Sequence, residues 1–199
     1  MTKYTRRAVS SICVTLVLAL AQGAWADSEE EKKKLARCAK DICSIIVSKN
    51  PKGPDLSCDL TKTWDKDQIQ KGADSKNISW GLGSAKCSVK FNIKRADIIA
   101  AFTSPETKFK AGKQSVACEI GTDRYPVSAT LSPELQFKNG TNTAASLRIN
   151  DIKGAVLIKG VVWTTAQLER HFGIFEGDLV REVNRFVQKE CPKFVSGAK

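Results

Sequence analysis

The chain has one histidine, His171, and any general-base or nucleophile-partner chemistry of the usual kind would run through it. It sits between Arg170 and Phe172, and neither Gly-x-Ser-x-Gly nor His-Glu-x-x-His occurs anywhere. A surface or packing role is the expected one. Gly81-Leu82-Gly83 lacks the third glycine and the strand–helix setting of a dinucleotide loop. Asp65-Lys66-Asp67 opens like a calcium loop but lacks its glycine and its closing glutamate. The expectation is no catalytic residue, no cofactor and no metal. Trp64, Trp80 and Trp163 read either as core packing or as an aromatic wall for an apolar or sugar ligand. Asn77-Ile78-Ser79 and Asn139-Gly140-Thr141 fit the glycosylation pattern, which matters only in a eukaryotic secretory route.

Cysteine is the other reactive type, with seven copies. Cys13 lies in an apolar N-terminal run and reads as filler. Cys38, Cys43, Cys58, Cys87, Cys118 and Cys191 remain. Zinc sites favour close pairs such as Cys-x2-Cys, whereas the closest pair here is Cys38-x4-Cys43. Three disulfides are therefore expected, in a compartment outside the reducing cytosol. On a helix, Cys38 and Cys43 diverge by about 140° with Cα atoms roughly 8 Å apart, too far for a mutual bond. The expected pairs are Cys38 with Cys191, Cys43 with Cys58, and Cys87 with Cys118. The first follows from two terminal helices burying stripes against one sheet, the second from a Pro/Gly turn, the third from shared inward strand phases.

The N-terminus supplies the route out. Lys3, Arg6 and Arg7 precede an apolar run from Ala8 to Ala21, then Ala24-Trp25-Ala26 and Asp27. That is the order of a secretory signal peptide, with cleavage before Asp27 leaving one domain at 27–199. Arg6-Arg7 is a poor match to twin-arginine export. The apolar run is shorter than the roughly 20 residues of a membrane span, so no transmembrane segment is expected after processing. The expected location is periplasmic or secreted. With the three basic residues of 1–26 set aside, 29 basic and 21 acidic side chains remain, a net charge of +8.

Local patterns give the elements that must position these residues. Ser28 with Glu31 resembles a capping box, and Leu35, Cys38, Ala39, Ile42, Ile45 and Ile46 repeat at helical spacing before Pro51 and Pro54. Period-two alternation follows at Leu56–Leu60, Cys87–Ile93, Val116–Ile120, Val127–Phe137 and, past the hairpin signal Asn139-Gly140, at Ala145–Ile149. The apolar run from Ala155 to Val162 reads as a further, more buried strand. Ala96–Phe102 reads as a short helix, Gln70–Asn77 as a polar loop. Thr164 with Gln167 reads as a capping box opening a helix that ends at Gly173. Asp178 reads as the cap of a last helix stopped by Pro192. The expected fold is α+β: an antiparallel sheet of about five to six strands, disulfide-stapled, with N-terminal and C-terminal helices packed on one face.

Lys86, Lys90, Lys94 and Arg95, with Lys108, Lys110 and Lys113, fall on wet strand phases and form a candidate face for an anionic lipid, a glycan or an acidic protein. Export argues against nucleic acid. The leading functional reading is a non-enzymatic binding protein, holding an apolar ligand between sheet and helices or an anionic envelope partner on that basic face. The rivals are a secreted hydrolase whose site assembles only in three dimensions, and a structural envelope-assembly factor. A cleft gathering His171 with a carboxylate and a hydroxyl would favour the hydrolase.

Overall fold

The computed structural model describes residues 29–76, 78–173 and 175–195, so the expected leader and its cleavage before Asp27 lie outside the described residues. The chain runs α1 (Glu29–Ser48), β1 (Leu56–Trp64), α2 (Lys66–Asp74), β2 (Ala85–Ile93), α3 (Arg95–Thr103), β3 (Glu106–Lys110), β4 (Gln114–Ile120), β5 (Tyr125–Lys138), β6 (Thr141–Gly154), α4 (Val156–Phe172) and α5 (Glu176–Arg185). α5 continues through a π-helical turn (Phe186–Glu190) into α6 (Cys191–Val195).

The six strands form one antiparallel sheet. β1, β2, β4 and β5 are successive neighbours. β3 joins β5 beyond the end of β4, and β6 flanks the opposite side of β5. The period-two pattern sets the faces. Leu56, Cys58, Leu60, Val89, Phe91 and Val116 point inward and are buried, while Ser57, Asp59, Lys86 and Lys90 point outward and are exposed. Every helix packs on the inward side, so the fold is α+β with helices on one face. No helix among the described residues is long and apolar enough to cross a membrane.

Helix side chains engage the backbone of two edge strands, where unpaired groups could otherwise meet another chain; β3, paired only with β5, is a further edge. At β1, Glu31 of α1 accepts from the Thr63 backbone N–H (3.2 Å) and hydroxyl (2.9 Å). At β6, Asn184 of α5 accepts from Asn142 N–H and donates to Asn142 C=O, both at 2.8 Å.

Six elements differ from the sequence reading. Residues 156–162, expected as a buried strand, open α4, because Ile158, Val162, Ala166 and Glu169 continue one helical stripe. Thr164 consequently lies inside α4, its hydroxyl bonded to the Gly160 carbonyl (2.9 Å), and caps nothing. Gly173 ends α4 as expected, in the left-handed conformation (φ 56°). The supposed loop from Gln70 is mostly α2, whose capping box pairs Asp65 with Gln68. That box was hidden in the calcium-like triplet. β3 carries no sequence signal of its own, because Glu106–Lys110 offers one apolar residue, Phe109, to the alternation. Asp178 sits within the first turn of α5 instead of capping it. Pro192 does not stop the helix: the turn before it widens, Cys191 N–H reaching back to the Phe186 carbonyl, which leaves room where proline has no N–H to give.

The six described cysteines form three disulfides: Cys38–Cys58, Cys43–Cys191 and Cys87–Cys118, with Cα separations of 5.9, 5.1 and 4.0 Å. Cys38 and Cys43 do seek different partners, and Cys87 pairs with Cys118 across directly opposed strand positions. The expected Cys38–Cys191 and Cys43–Cys58 pairs are exchanged. Both cysteines lie in the apolar stripe of α1, so periodicity alone did not decide which faces β1 and which faces α6. The segment 49–55 lets β1 run back along α1 far enough to bring Cys58 to Cys38, leaving fully buried Cys43 against Cys191.

Candidate ligand cavities

Sheet and helices do not close completely on each other. A cavity of about 150 Å³ lies between Phe91, Phe109 and Leu135 on the sheet and Ile42, Phe102 and Val183 on the helices. Phe102 meets Phe137 edge to face there, ring centroids 5.0 Å apart. The one polar side chain among its described lining residues, Gln114, donates to the Ala111 carbonyl.

A second cavity, of about 170 Å³, lies further along the same face between Trp64, Trp80, Val116, Ile69, Val162 and Phe175. Its polar groups are largely engaged. Trp80 Nε1 donates to the Gly83 carbonyl (2.7 Å), Lys76 Nζ pairs with Asp178 (2.7 Å), and Thr165 donates to the Val161 carbonyl (3.0 Å). Two tryptophans thus serve as cavity wall, whereas Trp163 is exposed.

Leu131 and Leu147 line both cavities. An apolar cavity near 150 Å³ stays dry and accepts a group about the size of benzene. Ligand pockets begin near 300 Å³, and the two spaces together offer about 320 Å³. Each space alone lies below that size, and Leu131 and Leu147 are walls common to both.

Buried Glu169 underpins the second cavity. Its Oε2 accepts from the N–H of cavity-lining Phe175 (2.9 Å). Burial raises its pKa above the ordinary 4.5, opposed by backbone hydrogen bonds from Phe175 and Leu147 and by Lys76, and reinforced by Glu176. One carboxyl therefore joins α4, the α4–α5 connection and edge strand β6.

The basic residues singled out in the sequence sit away from these cavities. Lys86 and Lys90 share the outward row of β2, where Lys90 lies 3.2 Å from Asp59 and Lys86 4.0 Å from Glu31. Lys94 is exposed at the start of α3. Arg95 clamps the α1–β1 connection, donating to the carbonyls of Pro54 (3.0 Å) and Asn50 (3.1 Å). His171 falls in the last turn of α4. Among the described residues, no group of three or more His, Cys, Asp or Glu is arranged to hold a metal. The inward strand phases mark most of the sheet-side cavity walls, but nothing in a linear pattern signals a void.

Comparison with protein-family models, curated proteins and solved structures finds no match to this chain.

Proposed function

We propose that the protein is an exported, non-enzymatic carrier of an apolar ligand held between its sheet and its helices. The observation that carries this reading is the pair of apolar cavities meeting at Leu131 and Leu147. Three disulfides and the leader-like order of residues 1–27 support an extracytoplasmic setting. The hydrolase reading draws no support from the cavities, whose described lining residues include no carboxylate. Binding an anion on the Lys86–Lys90 row is the weaker reading, because an incoming anion must compete with Asp59 and Glu31.

The test is a titration with N-phenyl-1-naphthylamine, an uncharged apolar fluorophore, at low and high salt. Saturable binding that is insensitive to salt and displaced by long-chain alcohols is expected. Leu135→Trp and Val162→Phe, which fill the first and second cavity respectively, together weaken it at least tenfold. No saturable binding, or binding unchanged in the doubly filled variant, overturns the reading.

A further inference from the structure

α4 is apolar on both sides. Ile158, Val161, Val162 and Ala166 face the sheet, yet Val156 is 88 % exposed and Trp163 54 % exposed. With Lys159 and Gly160 between them, Val156 and Trp163 recur at helical spacing along the outer side. Large apolar side chains on the solvent side of a helix are the ones that call for a cover.

The patch extends onto the sheet. The β5–β6 ladder ends with Val127 opposite Gly154, so Tyr125 and Val156 leave it at the same end. Tyr125 is 47 % exposed. Among the described residues, three of the five large exposed apolar side chains thus lie on α4 or at its end of the β5–β6 ladder. Arg124, Lys153 and Lys159, all exposed, stand among them. The acidic groups of this end are Asp123, which accepts from the Tyr125 hydroxyl (3.1 Å), Asp151, and exposed Glu119 of β4, which stands opposite Pro126 and Lys86. From Lys153 to the buried Glu169 the chain has no acidic residue.

We infer that this surface docks on an anionic lipid membrane, with Val156, Trp163 and Tyr125 entering the headgroup boundary and Arg124, Lys153 and Lys159 meeting lipid phosphates. Tryptophan and tyrosine favour that boundary, and an amphipathic helix with lysines beside its apolar side lies in the plane of such a surface. The net +8 of residues 27–199 draws the protein to a negative surface. A second copy is a poorer occupant, because a two-fold contact sets a patch against itself and would bring Arg124, Lys153 and Lys159 of both copies into one interface. The docking goes beyond the ligand reading and stands without it. If both hold, the docked helix is also a wall of the second cavity, through Val161, Val162 and Thr165.

The experiment is co-sedimentation of the chain purified from the exporting cell with vesicles of phosphatidylglycerol or of phosphatidylcholine, at low and high salt. The expected result is binding to phosphatidylglycerol that weakens several-fold as salt rises, with little binding to phosphatidylcholine. Val156→Ser with Trp163→Ser lowers it at least tenfold, and Lys153→Gln with Lys159→Gln lowers it several-fold while flattening the salt dependence. These side chains are exposed, so naphthylamine titration of each variant reports the cavities separately: vesicle binding lost with dye binding kept supports docking, whatever the fate of the ligand reading. Equal vesicle binding by the doubly substituted and unsubstituted chains overturns the inference. So does a lipid-free dimer that Val156→Ser with Trp163→Ser dissociates, which would make a second copy the occupant.

Discussion

Leu131 of β5 and Leu147 of β6 stand diagonally across one ladder, Leu131 opposite Ile149 and Leu147 opposite Pro133, and each is a wall of both apolar cavities. They decide whether the inner face offers two small spaces or one long one.

Leu131→Ala should therefore join the cavities. Leu131 is only partly buried, so the expected loss of stability is at the low end for such truncations, about 2 kcal/mol. The informative readout is ligand length: competition by long-chain alcohols should strengthen relative to short ones. A uniform loss across chain lengths would mean that the leucine supports the fold without dividing the space.

The disulfides make a ranking. Cys43–Cys191 spans 148 residues of sequence and Cys38–Cys58 spans 20. Loop-closure entropy assigns them about 5 and about 3 kcal/mol. Cys191→Ser should lower the urea midpoint more than Cys58→Ser, and non-reducing peptide maps should join Cys43 to Cys191.

Glu169 gives a signed pH dependence. Burial raises its pKa in the folded chain, so the folded state keeps this proton after the unfolded state has lost it. Its contribution to stability accordingly declines as pH rises from about 4.5 through the folded value, and is level above that. Glu169→Gln retains an acceptor for Phe175 N–H but cannot ionise. The difference in urea midpoint between variant and unsubstituted protein should move in the variant's favour from pH 4 to pH 8. A difference that stays constant, or moves the other way, contradicts the assignment.

Much of the architecture was readable because its signals are local. Alternation at Cys87–Ile93 and Val127–Phe137 follows from the two-residue repeat of a strand with one wet face, and Asn139-Gly140 names its own hairpin. The segment 155–162 was not readable. Its apolar groups lie on both sides of a helix, and a continuous apolar run looks the same in a buried strand. The docking surface inferred above grows from the same ambiguity. The cysteine exchange was illegible for another reason: the 140° divergence of Cys38 and Cys43 separates their partners without saying which side of α1 meets the sheet. The cavities depend on side-chain volumes meeting across elements distant in sequence, Ile42 with Phe109 and Trp64 with Val162, and no single segment records that.

Asn184 tests the sealing of the β6 edge. Its two hydrogen bonds to the buried Asn142 backbone have no substitute in alanine. Asn184→Ala should cost about 1–3 kcal/mol, read as a lower urea midpoint, and should speed amide exchange at Asn142 ahead of global unfolding. Unchanged exchange there would show that the edge closes without it.

The carrier reading is tested most directly by native mass spectrometry of the protein purified from the cell that exports it, without detergent. The predicted result is a mass above that of the disulfide-bonded polypeptide by one apolar molecule, released on denaturation, recovered in organic solvent and absent from the variant carrying Leu135→Trp and Val162→Phe. A bare polypeptide mass that gains nothing when the protein is incubated with long-chain alcohols or fatty acids would contradict it.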